Sequence, residues 1–142
     1  MIDRYTRDEI GAVWTQQRKL DTWLEVELAS IDALVEEGIV PAADAQACRE
    51  KAEYSVEAVN ERERTTNHDV AAFVDVVSES IGEPGRWLHY GLTSSDVLDT
   101  ALGLQLAAAG EIVVTGARAY RDALVARARE HAGTLCVGRT HG

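Results

Sequence analysis

The sequence is poor in the residues that staple a fold or announce a familiar site. Its two cysteines, Cys48 and Cys136, lack CxxC spacing and stand near no pair of histidines at metal-ligand spacing. That excludes a disulfide framework and leaves a zinc site without ligands. Both read as buried free thiols in a reducing compartment. No run of about 18 uncharged apolar residues occurs, and the opening MIDRYTRDEI has no apolar stretch of the signal-peptide kind. The chain therefore reads as cytoplasmic. No GxGxxG, P-loop, GxSxG or HExxH pattern is present, so dinucleotide, nucleoside-triphosphate, serine-hydrolase and zinc-protease chemistry have no motif to rest on. Internal repeats, low-complexity tracts and a credible pair of β-strands are missing as well. Positive charge is also scarce: Lys and Arg total 14 against 24 Asp and Glu, a formal charge of −10. A surface that acidic repels nucleic-acid phosphates and anionic headgroups, which excludes broad nucleic-acid or membrane binding. An anionic ligand must be captured by a few local donors, such as one arginine or a helix N-terminus.

What remains is ordinary globular material, 46% hydrophobic and 27% charged in 142 residues, enough to bury a core without staples. Helical periodicity dominates it. Thr6 and Glu9 stand at capping-box spacing, and Ile10, Val13, Trp14, Leu20, Trp23, Leu24, Leu28, Ile31, Leu34 and Val35 then recur at helical intervals, predicting one long amphipathic helix closed by Gly38 and Pro41. A weaker helix follows through AADAQACREKAEY. The charged stretch around Glu61–Arg64 reads as a solvated helix end, with a loop and an N-cap near Asn67. Val70, Phe73, Val74, Val77 and Ile81 then share one helical face, ended by Gly82, Pro84 and Gly85. From Thr93 to about Glu130 no proline occurs and Ala and Leu dominate. A helix of that span is about 55 Å long, whereas a compact chain of this size has a radius of gyration of about 15 Å. The fold class is all-α, with an N-terminal helical domain over 1–92 and the first long helix of a central bundle over 93–142. That helix needs further chain or other subunits to cover it.

Chemistry concentrates at the junctions. Of four histidines, His68 in TTNHDV, His89 in WLHYGLTSSD and His141 in GRTHG lie in polar, glycine- or cap-rich contexts at segment junctions, where a side chain with an ordinary pKa of about 6.5 suits proton transfer. Any one of them can equally be a helix cap. In LTSSD, Thr93 or Ser94 serves as N-cap with Asp96 at the capping-box position. The same helix start can receive a carboxylate or phosphate. Arg4 is a candidate phosphate clamp, beside Tyr5. Trp14, Trp23 and Trp87 read as core or interface aromatics.

Five stretches in order, MIDRYTRDEIGAVW, WLEVE, TTNHDVAAF, HYGLTSSDVLDTAL and GRTHG, resemble the adenylosuccinate lyase family of the fumarase/aspartase superfamily, along the whole chain. The resemblance implies a β-elimination that cleaves adenylosuccinate to AMP and fumarate, and SAICAR to AICAR and fumarate, in purine biosynthesis, with no metal or organic cofactor. It implies a homotetramer whose active sites draw on several subunits. It casts His141 as general acid with Thr140 beside it near a substrate carboxylate, and His68 as a catalytic group that hydrogen-bonds substrate. Asn67 and Asp69 flank His68 in the same substrate-contacting segment. Arg4 and Tyr5 fall at the phosphate end, Thr93 and Ser94 supply hydroxyls to substrate, and His89 is a further site histidine.

The chain departs from the family in two ways. The glycine- and serine-rich loop that carries the family's serine base has no counterpart between Met1 and Gly142, which leads to the expectation of an inactive N-terminal portion of a longer enzyme. Asn67 stands where members often carry arginine. Two other readings stay open: a catalytically inert helical interaction module built from the lyase front half, and a sister lyase with another succinyl-amine substrate.

Overall fold

The computed structural model describes residues 2–141; Met1 and Gly142, the outer residues of the first and last motifs, lie outside the described residues, as does the side chain of Asp3. The described residues contain helices and no strands, in agreement with the all-α expectation. A 3-10 turn over Asp3–Tyr5 leads into α1 (Asp8–Val13), α2 (Gln16–Glu36), α3 (Ala42–Lys51), α4 (Val56–Thr66) and α5 (Asp69–Ile81). A second 3-10 turn, Glu83–Trp87, precedes α6 (Ser94–Glu130).

The single long first helix is instead two. Thr6 and Glu9 do not form a capping box: Arg7 is the N-cap of α1 and makes no side-chain cap bond, while Thr6 Oγ1 donates to the Ile2 carbonyl at 2.9 Å. The break falls at Trp14–Thr15, where Thr15 adopts extended φ/ψ and its hydroxyl accepts the Arg18 N–H at 3.1 Å, starting α2 afresh. Trp14 is left exposed, unlike the buried Trp23. α2 ends as glycine chemistry dictates: Gly38 has φ +72° and frees the N–H of Ile39 to reach the Leu34 carbonyl at 2.9 Å.

α2 carries Leu20, Trp23 and Ile31 into one core with Cys48 of α3, Val59 of α4, and Val70, Ala72, Phe73, Val77 and Ile81 of α5. The Phe73 ring meets Trp23 and Tyr54 edge-on, with centroids 5.5 and 5.4 Å away. The Tyr54 phenol donates to Asp21; burial and that carboxylate push it well above the ordinary tyrosine range. Arg62, expected on a solvated face, clamps α4 to α5 by pairing with Asp75 at 3.3 Å and Glu79 at 2.6 Å. Cys48 is buried but Cys136 is exposed, which corrects the expectation that both thiols are buried.

Below α5 the chain turns tightly. A Cβ on Gly85 would sit 2.5 Å from the Ser78 carbonyl oxygen and 2.8 Å from the Ser78 Cα, both main-chain atoms that cannot step aside. Gly85→Ala is therefore expected to cost about 1–3 kcal/mol, read as a lowered urea midpoint with unchanged slope. A midpoint equal to the parent's would show that the turn can shift.

α6 spans 37 residues. Val97, Ala101, Gln105 and Ala109 form its buried stripe against α1 and α2, with Gln105 donating to the Val13 carbonyl at 2.6 Å. Past Ala109 the helix is largely bare. Val113, Val114, Tyr120, Leu124 and Val125 are exposed, as are Leu102, Leu104 and Leu106 nearer its start. An 18-residue window of this helix averages a hydropathy of 1.5 with 22% of it buried, so its apolarity is unsatisfied within the chain.

Candidate functional site

The N-terminus of α6 collects residues from two distant segments. Thr93 is its N-cap, with Asp96 closing the capping box by accepting the Thr93 N–H at 2.8 Å. Ser94, one residue in, faces His68: its Oγ lies 3.3 Å from His68 Nε2. His68 is itself the N-cap of α5, its Nδ1 accepting the Ala71 N–H at 3.3 Å. Because Nδ1 is an acceptor here, the proton of the neutral ring sits on Nε2, and that N–H donates to Ser94.

Asn67, one residue short of the N-cap expected near it, does not itself cap α5. It is the left-handed C-cap of α4, at φ 51° and ψ 31°, with its N–H on the Glu63 carbonyl at 2.8 Å. Asparagine tolerates that conformation better than most residues. One helix thus ends at Asn67 and the next is capped at His68, with no residue between them. Asp69 follows in the first turn of α5, its carboxylate accepting its neighbour Val70 N–H at 2.8 Å and lying 3.6 Å from Lys19 Nζ. Lys19 in turn lies over the Trp23 ring, 4.4 Å from its centroid.

His89 lies in the loop between the second 3-10 turn and α6, at φ 60°. A non-glycine residue held there costs on the order of 1 kcal/mol or more, and the surroundings keep it in place. Leu88 is buried, Trp87 Nε1 donates to Asp44 at 2.8 Å, and the His89 main-chain N–H and Nδ1 both meet the carboxylate of Glu27 at 2.7 Å. Glu27 escaped the reading of the sequence although WLEVE contains it. The signal was its spacing, four residues after Trp23 and four before Ile31, on the stripe that α2 buries.

The structure thus brings together His68, Ser94 and Asp69 with the helix start at Thr93. Arg4 and Tyr5 lie apart in the first 3-10 turn, both exposed, with the guanidinium 4.8 Å from the ring centroid. Thr140 and His141 are exposed in the segment beyond α6. Chain geometry sets a minimum main-chain distance between them and the start of α6. The 37 residues of α6 separate its ends by about 54 Å. The eleven steps from Glu130 to His141 reach at most about 40 Å, so Ser94 and His141 of one chain stay at least about 14 Å apart. Among the described residues no group of three or more His, Cys, Asp or Glu is placed to hold a metal ion.

Comparison with known proteins adds to this geometry. The family model described as lyase matches residues 3–142. Over all 142 residues the chain is 44% identical to the adenylosuccinate lyases of Bacillus subtilis (strain 168) and of Staphylococcus saprophyticus, in each case covering 33% of the relative. It spans about a third of the length of these curated relatives. Among solved structures, the crystal structure of fumarate lyase from Mesorhizobium sp. BNC1 superposes with a TM-score of 0.87 at 28% identity, over 96% of this chain and 34% of that one.

Proposed function

The chain belongs to the lyase family, and from that premise we propose that the whole protein cleaves adenylosuccinate to AMP and fumarate, and SAICAR to AICAR and fumarate, by β-elimination. A base removes a proton from the carbon beside one succinyl carboxylate, the carbanion delocalises into that carboxylate, the carbon–nitrogen bond breaks, and an acid protonates the departing nitrogen. The observation that carries this reading is the pairing of His68 Nε2 with Ser94 Oγ. Two motifs separated by 26 positions meet at the start of a 37-residue helix, whose partial positive charge suits an anionic succinyl or phosphate group.

In this reading substrate takes over the His68 Nε2–H that Ser94 otherwise accepts, Thr93 and Ser94 add hydroxyl donors, and Asn67 and Asp69 shape the adjoining wall. His89 lines the site, Arg4 and Tyr5 bind the phosphate end, and Thr140 and His141 serve a site assembled with other subunits. The bare face of α6 beyond Ala109 is then the inter-subunit seam of a homotetramer, and residues 93–142 begin its bundle domain. Donors aimed at the carboxylate that gains charge in the transition state lower the barrier most. No metal or organic cofactor enters the scheme.

Direct assay tests it: the whole protein should release fumarate from adenylosuccinate and none from argininosuccinate. Release from argininosuccinate alone would transfer the protein to a sister lyase, the reading that the fumarate lyase likeness also allows. His68 separates its two duties by substitution. His68→Asn keeps a good N-cap and loses the ring, whereas His68→Ala loses both. Melting should fall only for alanine, by about 1 kcal/mol, while turnover falls for both. Full activity in the asparagine variant would reduce His68 to a cap.

A further inference from the structure

We propose that Glu27 is a positioning residue that dictates which ring nitrogen His89 offers to substrate; this deepens the reading of His89 as a site residue and rests on it. Glu27 is wholly buried on the core stripe of α2. A carboxylate so removed from water is retained only where donors occupy its oxygens. Among the described residues its donors come from one residue 62 positions away: Oε2 accepts the His89 main-chain N–H at 2.7 Å, and Oε1 meets His89 Nδ1 at 2.7 Å. No lysine or arginine among the described residues pairs with it, and its close polar contacts are to His89.

The two contacts are not interchangeable. A main-chain N–H can only donate, and a carboxylate can only accept. The neutral His89 ring is therefore fixed with its proton on Nδ1, leaving Nε2 as the nitrogen free for substrate. His68 is held the opposite way by its cap, with Nδ1 accepting from Ala71 and the proton on Nε2. The fold thus presents one histidine as a donor and the other through a free lone pair. The same bidentate grip keeps His89 at φ 60°, in the loop that delivers Thr93 to the start of α6. An inward-pointing alkyl chain at position 27 would fill the core equally well and do none of this.

The amide of Glu27→Gln makes the test sharp. Its oxygen must face the main-chain N–H, because its NH2 cannot, so the NH2 points at Nδ1 and the neutral ring inverts to the Nε2–H form. The loop keeps two hydrogen bonds while the free nitrogen changes character. Two-bond proton–nitrogen spectra of histidine-labelled protein, with His89 assigned through a His89→Gln variant, should show the Nδ1–H form in the parent and the Nε2–H form in Glu27→Gln. Glu27→Asp, which keeps the charge, should retain the parent form. In the whole enzyme Glu27→Gln should lower kcat/KM at least tenfold with little change in melting, and Glu27→Asp should recover part of that loss. An Nε2–H ring in the parent overturns the proposal, even if neither variant folds. So does an inverted ring with unchanged kcat/KM, which would leave Glu27 as a tether only. If the whole protein releases no fumarate from adenylosuccinate, the functional reading fails by itself, and the spectra still decide whether Glu27 sets the tautomer.

Discussion

A whole enzyme carrying His141→Ala is expected to turn over adenylosuccinate about 100- to 10,000-fold more slowly, a loss of about 3–5 kcal/mol of transition-state stabilisation, with KM almost unchanged. The proposed acid acts only as the carbon–nitrogen bond breaks, so its removal costs the chemical step and spares ground-state binding. Unchanged turnover would reject the role. The reach of the chain adds a second expectation. A rigid helix from Ser94 to Glu130 and the short segment after it keep His141 at least about 14 Å from Ser94 of the same chain. In the proposed tetramer, whose sites draw on several subunits, the two histidines of one site come from different chains. Two inactive proteins, His68→Ala and His141→Ala, should then regain fumarate release when unfolded and refolded together. In an equal mixture about a quarter of the sites, one half times one half, draw both histidines from unsubstituted positions. No recovery from mixed oligomers would mean that one chain supplies both.

The largest effect on stability is expected at Phe73. It is 1% exposed and makes edge-on contacts with both Trp23 and Tyr54, joining α5 to α2 and to the segment before α4. Truncation to alanine removes the transfer free energy of the ring, leaves a cavity that three helices cannot collapse, and deprives two aromatic partners of their edge contacts. About 3–5 kcal/mol is expected, set against the 5–15 kcal/mol or so that a domain has in total. The thermal midpoint should drop by about 10 °C or more. Phe73→Leu, which refills most of the volume, should lose less than half of that. A loss below about 1 kcal/mol for alanine would place the mechanical centre of the core elsewhere.

Where local chemistry decides the structure, the sequence was transparent. Thr93 and Asp96 start α6 as their spacing predicts, Gly38 closes α2, and the valine–phenylalanine stripe of α5 faces the core. The break between α1 and α2 was hidden because the apolar residues on either side of it, Val13 and Trp14 before and Leu20 and Trp23 after, still fall at helical intervals across the five polar residues 15–19. The information lay instead in one hydroxyl: Thr15 captures the Arg18 N–H in competition with the continuing helix. The N-cap near Asn67 was legible to within one residue, but the loop expected before it is absent: asparagine favours N-caps and left-handed C-caps alike, and only the immediate onset of α5 selects between them. In the candidate site, the histidines and hydroxyls were visible as polar residues at junctions, but the pairing of His68 with Ser94 needs α6 to be seated on α2, which brings its start beside that of α5. Glu27 was hardest to read, because a glutamate inside a helix is ordinarily solvated, and nothing nearby in sequence marks a partner 62 residues on.

The joint between α4 and α5 has no slack. Asn67 terminates one helix and His68 opens the next, so any added residue must be absorbed by turning α5 about its own axis, by about 100° for each residue at 3.6 residues per turn. Such a turn would carry Val70, Phe73 and Val77 out of the core and swing the imidazole away from Ser94 in the same motion. Burial and aim therefore share one phase angle: the length of this joint is held by the stability of the core, and a lineage can lengthen it only by giving up both together.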